Sequence, residues 1–106
     1  RVLEDNLVRM DFMPRLVSLD LSRNLITHEG IEDFLGSMEP YMPNLKMLRL
    51  NENPLFGSKG VAGIVGFVER TTCLVNLELK KCRITSSGMK ILALMDTPDT
   101  LRLLDV

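Results

Sequence analysis

LVSLDLSRNLI, from Leu16 to Ile26, decides how the rest of the chain is read, because it comes back twice. LKMLRLNENPL begins at Leu45, LVNLELKKCRI begins at Leu74, and LRLLDV begins again at Leu101. The starts are spaced by 29, 29 and 27 residues. Fixed-period self-similarity of this kind means stacked structural units, and it outranks any reading of the segments one by one. Leu19, Leu48, Leu77 and Leu104 fill one column of the pattern, and Leu21, Leu50, Leu79 and Val106 fill the next. Around these columns apolar and polar residues alternate, as in a strand with one buried face.

After each strand the apolar period lengthens to that of a helix. Ile31, Phe34, Leu35 and Met38 fall on one helical face, and Val61, Ile64, Val65 and Val68 repeat the offsets. In the third copy Met89, Leu92 and Ala93 fit, but Asp96 takes the next place and Met95 must stand in for it. Strand and helix are joined by polar turns that contain a glycine: Thr27-His28-Glu29-Gly30, Ser58-Lys59-Gly60 and Thr85-Ser86-Ser87-Gly88. A hydroxyl at such a place is suited to cap the helix. The second turn has one extra residue before its glycine, so a slight bulge is expected there.

One such unit cannot bury both its apolar faces, so units must stack. The expected divisions are 16–44, 45–73 and 74–100, with 101–106 opening a further unit and 1–15 forming the helix of a preceding one. The array is then expected to be a segment of a longer protein.

Composition narrows the function classes. The apolar fraction of 45% and charged fraction of 25% are those of an ordinary globular chain. A net charge of −1 argues against nucleic acid as a partner, since phosphate binding calls for a basic stripe. No apolar run is long enough to span a bilayer, so no membrane association is expected. Cys73 and Cys82 are too few for a disulfide framework or a zinc site; two reduced thiols favour a cytoplasmic, intracellular setting.

The pattern L-x-x-L-x-L-x-x-(N/C)-x-(I/L), with Asn24, Asn53 and Cys82 at the Asn/Cys position and Gly30, Gly60 and Gly88 in the turns, resembles the ribonuclease-inhibitor-like class of leucine-rich repeats over essentially the whole chain. That resemblance implies an α/β fold: a right-handed leucine-rich-repeat solenoid or horseshoe, with a parallel sheet on its concave face and helices on its convex face. Members of the class include ribonuclease inhibitor, the sensor parts of NOD-like receptors, the GTPase-activating protein for Ran, and cytoskeletal and ciliary proteins. The shared job is to bind other proteins.

Strand residues between the leucines face away from the core and align in columns ~4.8 Å apart. One column reads Asp20, Arg49, Glu78, Asp105; its neighbours read Ser18, Met47, Asn76, Leu103 and Ser22, Asn51, Lys80; a fourth reads Arg23, Glu52, Lys81. Alternating charges on neighbouring strands are suited to pair with each other, which leaves Asp105 beside Glu78 as the one spot without a counter-charge. Met47 and Leu103 add apolar anchors, the kind of residue on which binding energy concentrates. The expected protein-binding residues are therefore Met47, Arg49, Asn76, Glu78, Leu103 and Asp105.

The remaining polar residues have structural readings. Asn24 and Asn53 are expected to bond the backbone as a buried ladder, with Cys82 taking the same place. Glu29, Glu32 and Asp33 offset a helix dipole. His28, the single histidine, has no partner set for triad chemistry. The expectation is a non-enzymatic interaction scaffold with no cofactor, metal or small-molecule ligand, whose partners are another protein and the adjacent repeats of its own chain. The alternatives are a regulator of a partner enzyme, either GTPase-activating-protein-like or a stoichiometric inhibitor, and the sensor repeat of a NOD-like receptor.

Overall fold

A computed structural model describes residues 16–106; the helix expected over 1–15 lies outside the described residues. The strands are β1 (Ser18–Asp20), β2 (Met47–Arg49), β3 (Asn76–Glu78) and β4 (Leu103–Asp105). They form one parallel sheet in the order β1-β2-β3-β4. The intervening helices are α1 (His28–Met38), α2 (Gly57–Arg70) and α3 (Ser86–Leu94), with a short 3₁₀ turn at Glu39–Tyr41 after α1. α1 packs on α2 and α2 on α3, following the order of the strands. The architecture is α/β with parallel strands.

The register follows the leucine columns. Leu19 pairs with Leu48, Leu48 with Leu77 and Leu77 with Leu104. Leu48 and Leu77 are fully buried against the helices, within a core that also holds Leu45, Leu74, Leu50 and Leu79. Each strand is only three residues long, so backbone bonding continues past it: Leu21 N–H donates to Arg49 O (2.8 Å), Leu50 N–H to Glu78 O (2.9 Å), and Leu79 N–H to Asp105 O (2.6 Å).

The helices follow the expected faces in part. In α1, Ile31, Phe34, Leu35 and Met38 are all buried, and Thr27 Oγ1 accepts from Gly30 N–H at 3.0 Å. In α2 the buried set is Gly60, Val61, Ile64, Phe67 and Val68, while Val65 is half-buried. The turn expected at Ser58-Lys59-Gly60 is already helix, because the extra residue is absorbed earlier by Gly57 at φ +62°. Phe56 folds under the helix start, and its ring sits where a Cβ on Gly60 would be, 2.5 Å away. A glycine is required at that contact. In α3 only Gly88 and Leu92 are buried; Met89 and Ala93, expected inside, are exposed. The helix stops at Leu94, and Met95 then turns into the core. Among the described residues no helix packs on the far side of α3, the side on which Met89 and Ala93 are exposed.

The hydroxyl caps also differ from expectation. α2 has Phe56 at its cap position and no side-chain cap. α3 is capped from the neighbouring unit: Ser58 Oγ accepts from Thr85 N–H (3.1 Å) and Gly88 N–H (3.0 Å).

Asn53 joins the first two units. Its Oδ1 accepts from Asn24 and Ile26 N–H (both 3.2 Å), and its Nδ2 donates to Leu21 O (3.1 Å) and Leu50 O (2.7 Å). It is fully buried. Cys82 holds the equivalent place in the next unit, donating from Sγ to Leu50 O at 2.9 Å, and burial raises the pKa of its thiol. Asn24 bonds Leu21 O and Ser22 O but is exposed rather than buried, since it belongs to the turn after the edge strand β1.

Just before these residues the backbone turns left-handed at Arg23 (φ 60°), Glu52 (59°) and Lys81 (56°), without a glycine. For an L-residue this costs about 1–2 kcal/mol. Bonds such as Glu52 N–H to Lys80 O (2.7 Å) hold the conformation in place.

Two stability changes follow. Asn53→Ala strands buried N–H and C=O groups in two units and should lower unfolding free energy by about 3 kcal/mol or more, against about 1 kcal/mol for Asn24→Ala, in urea titrations. Lys81→Gly should leave stability unchanged or raise it by up to about 1 kcal/mol, whereas Lys81→Val should lower it by about 1 kcal/mol or more.

Candidate functional site

The face of the sheet turned away from the helices carries all six residues expected to bind. Strand pairing aligns Ser18, Met47, Asn76 and Leu103 in one row and Asp20, Arg49, Glu78 and Asp105 in the next. Met47 is half-buried, and Leu103 is 45% exposed on the edge strand β4, where Leu104 of the leucine column is also exposed.

The charged residues are largely occupied with one another. Arg23 pairs with Glu52 (3.2 Å), Arg49 with Glu78 (3.3 Å) and Lys80 with Asp105 (3.1 Å). Each pair crosses from one strand's segment to the next, so the three together tie all four. The Lys80 contact corrects the expectation for Asp105, which does have a counter-charge. Column-by-column reading missed it because the pair is diagonal: Asp105 lies opposite Glu78, and Lys80 is two residues further on. Long side chains reach such diagonal neighbours, which is the signal that would have found it.

Glu78 is the most heavily bonded group of the face. Its Oε1 accepts from Asn51 Nδ2 (2.9 Å), and its Oε2 accepts from Asn76 Nδ2 (2.9 Å) and Arg49 Nε (3.3 Å). These donors, Asn51 foremost, hold its pKa below the usual glutamate range against a smaller opposing effect of desolvation. Asn51 was not among the expected binding residues, yet it also takes Lys80 N–H on Oδ1 (2.8 Å) and so braces the second unit against the third. Asp20 is shifted down chiefly by hydrogen bonds from Ser22, whose N–H lies 3.0 Å from Oδ1. Lys80 is shifted up by its bond to Asp105. A shallow depression is lined by Asp20, Ser22, Arg23, Arg49, Asn51, Glu52 and Glu78.

One polar atom of this face is left over. Asn76 donates from Nδ2 to Glu78, but its Oδ1 is buried and has no hydrogen-bond partner among the described residues. It lies in the row between Met47 and Leu103.

Elsewhere, Arg70 at the end of α2 and Glu39 in the 3₁₀ turn after α1 form a bidentate pair (3.0 and 2.6 Å). Among the described residues no set of three His, Cys, Asp or Glu side chains could hold a metal ion, and no helix is long and apolar enough to cross a membrane. Cys73 and Cys82 are both free thiols, and His28 opens α1 half-buried.

Comparison with known sequences matches the leucine-rich repeat family over residues 15–37, the segment containing β1 and most of α1. The chain therefore carries a leucine-rich repeat, a motif that in general mediates protein–protein interaction. No curated protein and no solved structure matches the chain.

The low pKa of Glu78 gives a pH test. A carboxylate depressed in the folded state stabilises the fold above its unfolded pKa, and that contribution is lost as pH falls through the folded value. Wild-type stability should drop from about pH 5 to about pH 3, and Glu78→Gln should flatten part of that drop in chemical denaturation series.

Proposed function

We propose that this chain is a non-catalytic protein-interaction scaffold, a segment of a larger cytoplasmic protein, that grips a partner through the outer face of its sheet. The array is read as ribonuclease-inhibitor-like, with units at 16–44, 45–73 and 74–100, winding as a right-handed horseshoe whose concave surface is this face. Rigidity favours such a role, because a pre-organised surface loses little conformational entropy on binding.

The observation that carries the reading is the row Met47, Asn76, Leu103. It sets Leu103, exposed on the edge strand β4, and half-buried Met47 on either side of Asn76 on the face turned away from the helices. Arg49, Glu78 and Asp105 act here as an internally paired frame and a polar rim around the row, with the apolar side chains as anchors. A partner-enzyme regulator, whether GTPase-activating or inhibitory, and a receptor sensor would use the same face. They differ in what the partner does once held.

The test compares faces. Met47→Asp with Leu103→Asp should reduce the partner retained from cytoplasmic extract by roughly tenfold or more, read by quantitative mass spectrometry. Ala62→Glu with Ala93→Glu, on exposed helix positions, should leave retention unchanged. The exchange Arg49→Glu with Glu78→Arg keeps an ion pair while reversing its direction, and should weaken retention less than the apolar pair does. Loss with the helix variants and none with the sheet variants would show that the wrong face has been chosen.

A further inference from the structure

Charge is distributed unevenly between the two edges of the array, although the net charge is only −1. Along the edge where strands run into helices, the second and third units present Lys59, Lys81, Arg83 and Lys90, all exposed. None of the four is in an ion pair among the described residues, in contrast to Arg23, Arg49, Arg70 and Lys80. The opposite edge, where helices return to strands, is mixed: Glu69, Asp96 and Asp99 lie around one open depression, Arg70 is committed to Glu39, and Lys46 and Arg102 are exposed.

The four cations belong to a single seam. Gly57 N–H donates to Cys82 O at 2.9 Å, between Lys81 and Arg83 in the chain. Next to Gly57, Ser58 Oγ lies 2.8 Å from Thr85 Oγ1 and accepts from Gly88 N–H. Lys59 follows Ser58 directly, and Lys90 comes two residues after Gly88. Lys81 and Arg83 both stand on left-handed backbone (φ 56° and 57°).

This placement runs against the electrostatics of the fold. Lys59 sits in the first turn of α2, where the helix dipole disfavours a cation, and neither α2 nor α3 has an acidic residue in its first turn. α1 shows the ordinary arrangement, with Glu29 at its start. The seam also runs beside exposed aliphatic side chains. Leu25 (72% exposed) and Leu55 (54%) flank Asn53, which bonds the backbone N–H on either side of Leu25. Leu55 lies two residues before Gly57.

We infer that this edge is a second docking surface, for an acidic segment of a partner protein that carries aliphatic side chains. The four cations receive its carboxylates, and Leu25 and Leu55 receive its apolar residues. Charge complementarity selects the acidic class. The neighbouring leucines select protein over single-stranded nucleic acid, which would call for aromatic stacking platforms that this seam does not offer.

The probe is a short fluorescein-labelled peptide in which Asp and Glu alternate with Leu, titrated with the full chain and read by fluorescence anisotropy. Controls are the same peptide with Ser for Leu, and labelled oligodeoxythymidine. Saturable binding is expected, weakened by roughly tenfold or more in Lys81→Glu with Arg83→Glu and steeply weakened by salt. Glu is tolerated at position 81, since Glu52 occupies the equivalent left-handed position one unit earlier. Lys59→Ala with Lys90→Ala gives a second, milder pair if the first perturbs the circular dichroism melt. Leu55→Ser should weaken the Leu peptide and not the Ser peptide. Met47→Asp with Leu103→Asp should leave peptide affinity unchanged, which separates this surface from the outer face of the sheet. Equal affinity for the Ser peptide or the oligonucleotide would overturn the aliphatic, protein-specific assignment. Affinity unchanged in both cation pairs would overturn the surface itself.

Discussion

A three-residue strand has no stability of its own, and every other feature of this chain answers to that constraint. The backbone of each strand is satisfied only by the strands of the units beside it, and the leucine beneath it is covered only when a helix from its own unit packs against a helix of the next. Stability is therefore shared across unit boundaries. The polar residues that matter most are those that cross a boundary: Asn53 between the first and second units, Asn51 and Cys82 between the second and third, and Ser58 between the starts of α2 and α3.

The sheet was readable from the sequence because two periods coincide there. Alternation within a strand assigns a face, and a 29-residue return assigns a partner, so the pairs Asp20–Arg49 and Arg49–Glu78 follow without further information. Helix starts were less readable. Pattern alone cannot tell that Phe56 folds beneath Gly60 and lets α2 begin before its polar turn; that depends on the volume available under the helix. Met89 and Ala93 show the complementary limit. They lie on the correct helical face in sequence, but a face is buried only where something packs against it.

The candidate site was legible as a set of columns and not as a network. Columns place Glu78 next to Asp105 and suggest repulsion, whereas the side chains resolve it diagonally through Lys80 and through three donors converging on Glu78. The unsatisfied Asn76 Oδ1 had no sequence signal at all, because an amide's spare acceptor is visible only once its neighbours' hydrogen bonds are assigned. The basic seam was hidden by averaging. A net charge near zero is compatible with a local cluster of cations, and only the stacking of turns upon turns brings Lys59, Lys81, Arg83 and Lys90 together.

These findings separate two kinds of surface charge that composition cannot distinguish. Most charges on the outer face of the sheet are in cross-strand pairs, and exposed pairs of this sort contribute little stability but hold side chains in fixed positions. Their effect is to keep the face polar and geometrically defined around the few apolar groups it exposes, Leu103 foremost. Charges on the strand-to-helix edge have no such internal role. Lys59 stands where a helix dipole disfavours it, and none of the four cations has a carboxylate partner among the described residues. A residue placed against the electrostatics of its own fold is better accounted for by something outside that fold. That asymmetry, more than the count of charges, distinguishes surface that maintains the array from surface available to a partner.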